Sequence, residues 1–179
     1  MATRSPLALS LAHAHSHTRP PAAPPARRRT PRSYPENYGL VFGGLFATAA
    51  ANLYCAINVS IHRKKFGIKY PALYASEAEH LSKECKAADV VTFNCAQRAH
   101  QNTLESLTGV QLQGALVGLL YPRFAGSCLG LYAVGRVLYC NGYTAKGPSG
   151  RMAGGLVSHL GDLPLLIATG YCAYTMIMG

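Results

Sequence analysis

The amino-acid sequence predicts an all-α integral membrane protein, a bundle of four helices, on three observations. Apolar residues make up 49% of the 179 and charged residues only 13%, too little charge for an ordinary soluble domain. The stretch from Gly39 to Ile61 runs 23 residues without a charged side chain, long enough to cross a bilayer as a helix. Polar residues within the less apolar stretches recur at helical spacing, so that each set falls on one helix face.

Residues 1–33 are rich in Ala, Ser, Pro and Arg and contain no acid, which predicts a disordered extension ahead of a domain over 34–179. It reads either as an organelle transit peptide or as a plain unstructured extension. Six Arg fall in it, so only +4 of the formal +10 belongs to residues 34–179. That removes the charge-based case for a nucleic-acid partner. The alternation of His13, His15 and His17 has no fold to fix a metal geometry, and no metal is expected. The six Cys include no CxxC pair, against a zinc site or a disulfide scaffold.

The first span, Gly39 to Ile61, ends against His62, Arg63, Lys64 and Lys65, and its small residues Gly39, Gly43, Gly44, Ala47 and Ala51 predict close helix packing. The second is set at Thr103 to Tyr121 although it contains Glu105 and two Gln; Arg98, Asn102 and Glu105 stand at i, i+4 and i+7. The third, Phe124 to Tyr143, contains Arg136, with Tyr139 and Tyr143 at i+3 and i+7 from it. The fourth, Gly154 to Gly179, carries His159, Asp162 and Pro164 in its first half. Charge inside a membrane is costly and faces the bundle interior, so these polar residues read as an inner face. Arg136 then either touches a ligand or forms an internal ion pair, with Glu105 or with a carboxylate of another subunit. His100, off the Arg98 face, reads as a helix contact. His159 and Asp162, three apart on one face, read as an interfacial or subunit contact rather than a proton relay.

Four spans put loops one and three on the same side. Loop one holds Arg63, Lys64, Lys65, Lys69, Lys83 and Lys86, loop three Lys146 and Arg151, and the loop between them only Arg123. The positive-inside rule makes that side cytosolic, although it also sends the tail's arginines to the opposite side unless the tail is removed first. Arg63, Arg98, Tyr139, Tyr143 and Arg151 therefore gather at the cytosolic end. Asn102 and Glu105 lie about 6 and 10 Å deeper than Arg98. A cationic pocket with one carboxylate and several hydroxyls predicts a small anionic ligand.

Three segments carry a resemblance: AINVSIHRKKFGIKYP (Ala56 to Pro71), FNCAQRAHQNTLE (Phe93 to Glu105) and GLYAVGRVLYCNGY (Gly130 to Tyr143). Over about residues 35–160 the chain resembles the membrane-associated proteins in eicosanoid and glutathione metabolism (MAPEG), on the branch of the type 3 microsomal glutathione transferases. The resemblance implies a homotrimer with glutathione bound between neighbours at the cytosolic face of a microsomal-type membrane. It implies that Arg98 pairs a glutathione carboxylate, that Asn102 and Glu105 grip its peptide and ammonium groups, and that Arg63, Tyr139 and Tyr143 contribute. Arg151, in the loop before the last span, matches the arginine that stabilises the thiolate. Leu156 stands in the region of a family tyrosine, and Ser106 stands where an aromatic follows the glutamate.

The chemistry agrees with such a ligand. Glutathione carries two carboxylates, an ammonium and a thiol that, like that of Cys with an ordinary pKa of about 8.5, is mostly un-ionised at neutral pH. The guanidinium fork suits carboxylates, Glu suits the ammonium, and an Arg beside sulfur favours the nucleophilic thiolate. A second substrate approaching from the bilayer is lipophilic, an electrophile or a lipid hydroperoxide. The expected function is thus a glutathione transferase with peroxidase activity, in the endoplasmic reticulum membrane or, if the extension is a transit peptide, a mitochondrial or plastid outer membrane. The alternative is a non-catalytic lipid-binding or scaffold member of the same family.

Overall fold

The structure, a computed structural model, describes residues 34–81 and 85–179. The readings made on the N-terminal extension, its histidines and arginines included, and Lys83 of loop one lie outside the described residues. Four long helices make the domain: α1 (Gly39–Lys65), α3 (Ala87–Leu120), α4 (Pro122–Lys146) and α5 (Met152–Met178), with a single turn, α2 (Glu77–His80), between the first two. A 3-10 turn, Gly147–Arg151, joins α4 to α5.

Each boundary has a local cause. His62 to Lys65 occupy the last turn of α1, where cations meet the carbonyl end of the helix dipole. The helix stops at Gly67, whose φ of 68° favours glycine. There the Gly67 N–H donates to the Lys64 carbonyl and the Ile68 N–H to that of Arg63, which is the Schellman pattern. Helix α3 starts where the Asp89 carboxylate accepts the Lys86 backbone N–H at 3.0 Å. Pro122 opens α4 at the first-turn position, where its missing N–H costs nothing. Gly147, with φ 69° and ψ −157°, ends that helix.

Helix α3 begins at Ala87, well before the Thr103 at which the second span was set. Its polar first half lowers hydropathy without breaking the hydrogen-bond ladder. Its 34 residues rise about 50 Å, more than the roughly 30 Å hydrocarbon core, so Arg98 stands inside a helix rather than at its start. Loop one is tied to this extension: Asn94 donates to the Ala75 carbonyl and accepts the Ala75 N–H, both at 2.8 Å, and the Tyr74 hydroxyl bonds Gln101.

Helix α4 packs against each of the other long helices. A core of Val41, Val117, Leu129, Tyr132 and Leu165 fills one part of the bundle, and Phe93, Phe66 and Ile68 seal the loop-one end. Gly44 does lie against Leu129, and Ala51 is buried, but a methyl group on Gly39 or Gly43 would meet no neighbouring element within 4 Å, so close packing on α1 within the protomer is confined to part of the predicted stripe. The tightest approaches join α4 to α5. A methyl group on Gly154 would strike the Tyr139 backbone, and one on Gly135 the Ser158 backbone. Gly142 and Gly150 meet likewise, each against the other's carbonyl oxygen.

The distribution of side chains is the reverse of a soluble bundle. Phe46 is 76% exposed and Ile167 72%, whereas Thr48, Thr103 and Ser158 are fully buried and Arg136 is 4% exposed. Two stretches, Gly39–Lys65 and the nearly continuous helix Pro122–Met178, are long and apolar enough to cross a membrane.

Candidate functional site

Alternating helix directions bring the C-terminal ends of α1 and α4 and the N-terminal parts of α3 and α5 to one end. Just inside it, between α3, α4 and α5, lies a cavity of about 590 Å³, within the range of small-molecule sites. Asn102, Glu105 and Ser106 line it from α3, Arg136 and Tyr139 from α4, Arg151 from the 3-10 turn, and Met152, Gly155, Leu156, Ser158, His159 and Asp162 from α5.

Arg136 organises the floor. Its Nη1 donates to Asn102 Oδ1 at 2.6 Å and its Nη2 to Ser106 Oγ at 2.7 Å. The Ser106 hydroxyl also meets the Tyr132 hydroxyl at 2.7 Å. The guanidinium lies 4.9 Å from the Tyr132 ring centroid and 5.4 Å from that of Tyr139. Its buried Nε has no hydrogen-bond partner. The internal ion pair that Arg136 could form within one chain, with Glu105, is not formed. Arg98 takes that carboxylate instead, Nη1 to Oε1 at 2.7 Å, because seven residues on one helix face bring the two into reach. Asn102 Nδ2 adds a longer contact of 3.4 Å to the other Glu105 oxygen.

The spacing on α4 holds as expected. Tyr139 and Tyr143 stack edge to face at 5.7 Å, and Arg151 covers the Tyr143 ring at 5.3 Å. Tyr143 is buried behind Tyr139 and is not part of the cavity wall. Arg98 stands at the rim of the site, 43% of its side chain exposed.

Arg63 is elsewhere. It is buried, donates from Nη1 to the Ala72 carbonyl at 2.8 Å, and sits 4.4 Å over Tyr70 and 4.8 Å over Phe93. The Schellman turn swings loop one back across the end of α1, and Arg63 holds that loop down. It borders a separate recess with Lys64, Lys69 and Tyr70. Within one protomer, then, the structure brings together Asn102, Glu105, Arg136, Tyr139 and Arg151, keeps Arg98 and Tyr143 one contact away, and leaves Arg63 apart.

Four contributors escaped the sequence reading. Tyr132 precedes Arg136 by four residues, and that spacing was available as a signal. Ser106 follows Glu105 and was seen only as a departure from a family pattern. His159 and Asp162 were seen as a pair but not as part of this cavity.

Electrostatically the cavity presents two guanidiniums, Arg136 and Arg151, and two carboxylates, Glu105 and Asp162. Among the described residues neither Arg136 nor Arg151 has a carboxylate within ion-pair distance. Glu105 is bridged to Arg98, and Asp162 to His159. Two guanidiniums without a carboxylate partner, an orphaned Nε and one Arg–Glu pair at the rim equip the cavity to take up anionic groups. Residues 41–171, well over half of the chain, match the family model described as MAPEG family.

Proposed function

Because the chain belongs to the MAPEG family, membrane proteins that include glutathione transferases and related enzymes, we propose that it is a membrane-bound glutathione transferase with peroxidase activity. The observation that carries this reading is the pair of guanidiniums without carboxylate partners, Arg136 and Arg151, turned into one cavity beside the Arg98–Glu105 pair. Within the family we place it with the type 3 microsomal glutathione transferases, on the RAHQNTLE segment over 98–105 and the GRVLY segment over 135–139.

The residues divide the work by charge. The γ-glutamyl end of glutathione bears a carboxylate and an ammonium on one carbon, so it replaces the Arg98–Glu105 contact with two of its own. Asn102 and Tyr139 supply hydrogen bonds to the peptide groups, with Tyr143 behind. Arg136 neutralises charge at the floor. Arg151 holds the sulfur as thiolate, because a nearby cation favours the ionised form. Met152 and Leu156 receive the lipophilic partner. With a carbon electrophile, a sulfur–carbon bond forms and the leaving group departs with its electron pair, or, in an addition, the developing anion takes a proton. With a lipid hydroperoxide, the sulfur–oxygen bond forms as the oxygen–oxygen bond breaks and the lipid leaves as its alcohol on taking a proton, and a second glutathione converts the sulfenic acid to the disulfide with loss of water.

We further propose a homotrimer in the endoplasmic reticulum membrane, with glutathione between neighbouring protomers. The rim position of Arg98 supports that arrangement, since it leaves the guanidinium open toward a neighbour. The test is calorimetric glutathione binding by purified protein in nanodiscs, followed by turnover of a hydrophobic electrophile and of a lipid hydroperoxide. Binding with turnover is expected. Absence of binding at millimolar glutathione overturns the proposal, and binding without turnover of either substrate overturns its catalytic part.

A further inference from the structure

We propose that His159 is a general acid that protonates the oxygen leaving a lipid hydroperoxide, and that Asp162 is its positioning residue. This rests on the glutathione reading above and deepens it.

Helix α5 is the most apolar of the four, and across Met152–Met178 it carries a single histidine and a single acid. Those two stand one turn apart and face each other, His159 Nδ1 lying 3.1 Å from Asp162 Oδ1 and 3.2 Å from Oδ2. Such groups in a membrane helix are costly and mark function or a partner. Their exposures differ in the sense a catalytic pair needs: the Asp162 side chain is 15% exposed, tucked against the bundle, while that of His159 is 58% exposed. Both line the cavity that holds Arg136 and Arg151. With Nδ1 committed to the carboxylate, the ring presents Nε2 as the nitrogen that exchanges a proton in the cavity. The same wall contains Met152 and Leu156, the apolar surface a lipid tail meets.

The chemistry needs such a proton. When the glutathione thiolate attacks the terminal oxygen of a hydroperoxide, the sulfur–oxygen bond forms and the oxygen–oxygen bond breaks. The lipid would then depart as an alkoxide, a poor leaving group. A proton from His159 Nε2 turns it into the alcohol; sulfur has lost two electrons and the peroxide has gained them. The proton released when the next glutathione ionises restores the imidazolium. The sulfenic acid meets a second glutathione, giving disulfide and water. Displacement of chloride from an aryl chloride asks for no proton, since chloride leaves as a stable anion.

The groups facing His159 are Glu105 from α3, Arg136 and Tyr139 from α4, Arg151 from the turn, and Asp162 on α5 itself. Of these, Asp162 is the one in contact with the ring.

The experiment measures wild type, His159→Gln and Asp162→Asn in nanodiscs against a fatty-acid hydroperoxide and a dinitrochlorobenzene, each across pH. For His159→Gln the ratio of hydroperoxide to aryl chloride turnover should fall about hundredfold, the usual scale of a general acid. The alkaline limb of the hydroperoxide profile should vanish with it. Asp162→Asn keeps the imidazole but not its anchor, and the ratio should fall about tenfold with the limb displaced to lower pH. An unchanged ratio and limb in His159→Gln overturns the proposal while the glutathione reading stands, and so does an equal loss of both reactions. A wild type that binds no glutathione overturns both.

Discussion

Replacing Arg136 with Met separates what this cation does for the ligand from what it does for the bundle. In the ligand-free protein the guanidinium makes two charge-assisted hydrogen bonds, to Asn102 and Ser106, worth about 1.5–3 kcal/mol each. Its contacts with the Tyr132 and Tyr139 rings add about 0.5–1 kcal/mol each. Against these, holding a guanidinium at 4% exposure without a carboxylate costs several kcal/mol of lost hydration. The two sides nearly cancel, and Met fills a similar volume. Ser106 keeps its bond to Tyr132, and Asn102 its contact with Glu105. The Arg136→Met protein should therefore unfold within a few degrees of wild type when helicity is followed on heating in nanodiscs. Binding has no such compensation. Loss of a buried cation facing an anionic ligand costs about 2–5 kcal/mol. At about 1.4 kcal/mol per tenfold, the glutathione Kd should rise at least about 30-fold by calorimetry. An unchanged Kd would refute the assignment of Arg136 to the ligand, and a collapse in thermal stability would show that the charge serves the fold instead.

Three further substitutions test the neighbouring parts. Arg98→Ala should raise the glutathione Kd about tenfold, because it removes one carboxylate clamp at an exposed rim; unchanged binding in titration calorimetry would count against it. Arg151→Ala should leave binding largely intact but reduce the ultraviolet absorbance of the bound thiolate at neutral pH, and an undiminished thiolate band would move that role to another residue. Gly154→Val should destabilise the bundle by about 1–3 kcal/mol, since its side chain runs into the Tyr139 backbone, and an unshifted thermal midpoint would contradict that close approach.

Much of this architecture was legible in the sequence because hydropathy and helical spacing report on single helices. The apolar length of α1 and the shared faces of Arg98 with Glu105 and of Arg136 with Tyr139 are properties of one helix each. What was not legible depends on contacts between elements. The early start of α3 was hidden because Asn94, Gln97 and Arg98 lower hydropathy without interrupting a helix. Arg63 sat beside the family motif in sequence, yet the turn at Gly67 folds loop one over it, and the Ala72 carbonyl claims its guanidinium. Arg98 and Glu105 are within reach by their spacing on α3, whereas the turn of Arg136 toward Asn102 and Ser106 is a contact between α4 and α3 that spacing does not encode. His159 and Asp162 read from sequence as an interfacial or subunit contact, and only the packing of α5 on α4 shows that both line this cavity.

The meeting of Gly142 and Gly150 has a mechanical consequence. Backbone against backbone leaves no side chain to rearrange, so the short turn is pinned to the end of α4, and Arg151, lying over Tyr143, is indexed to that helix rather than to the one it introduces. Farther along, Gly154 against Tyr139 and Ser158 against Gly135 hold α5 to the same helix in the same way, so Arg151 and the apolar wall that α5 supplies share one frame of reference. The same contact makes the length of the turn intolerant of change, because a residue inserted between Gly142 and Gly150 would part the two backbones that meet there.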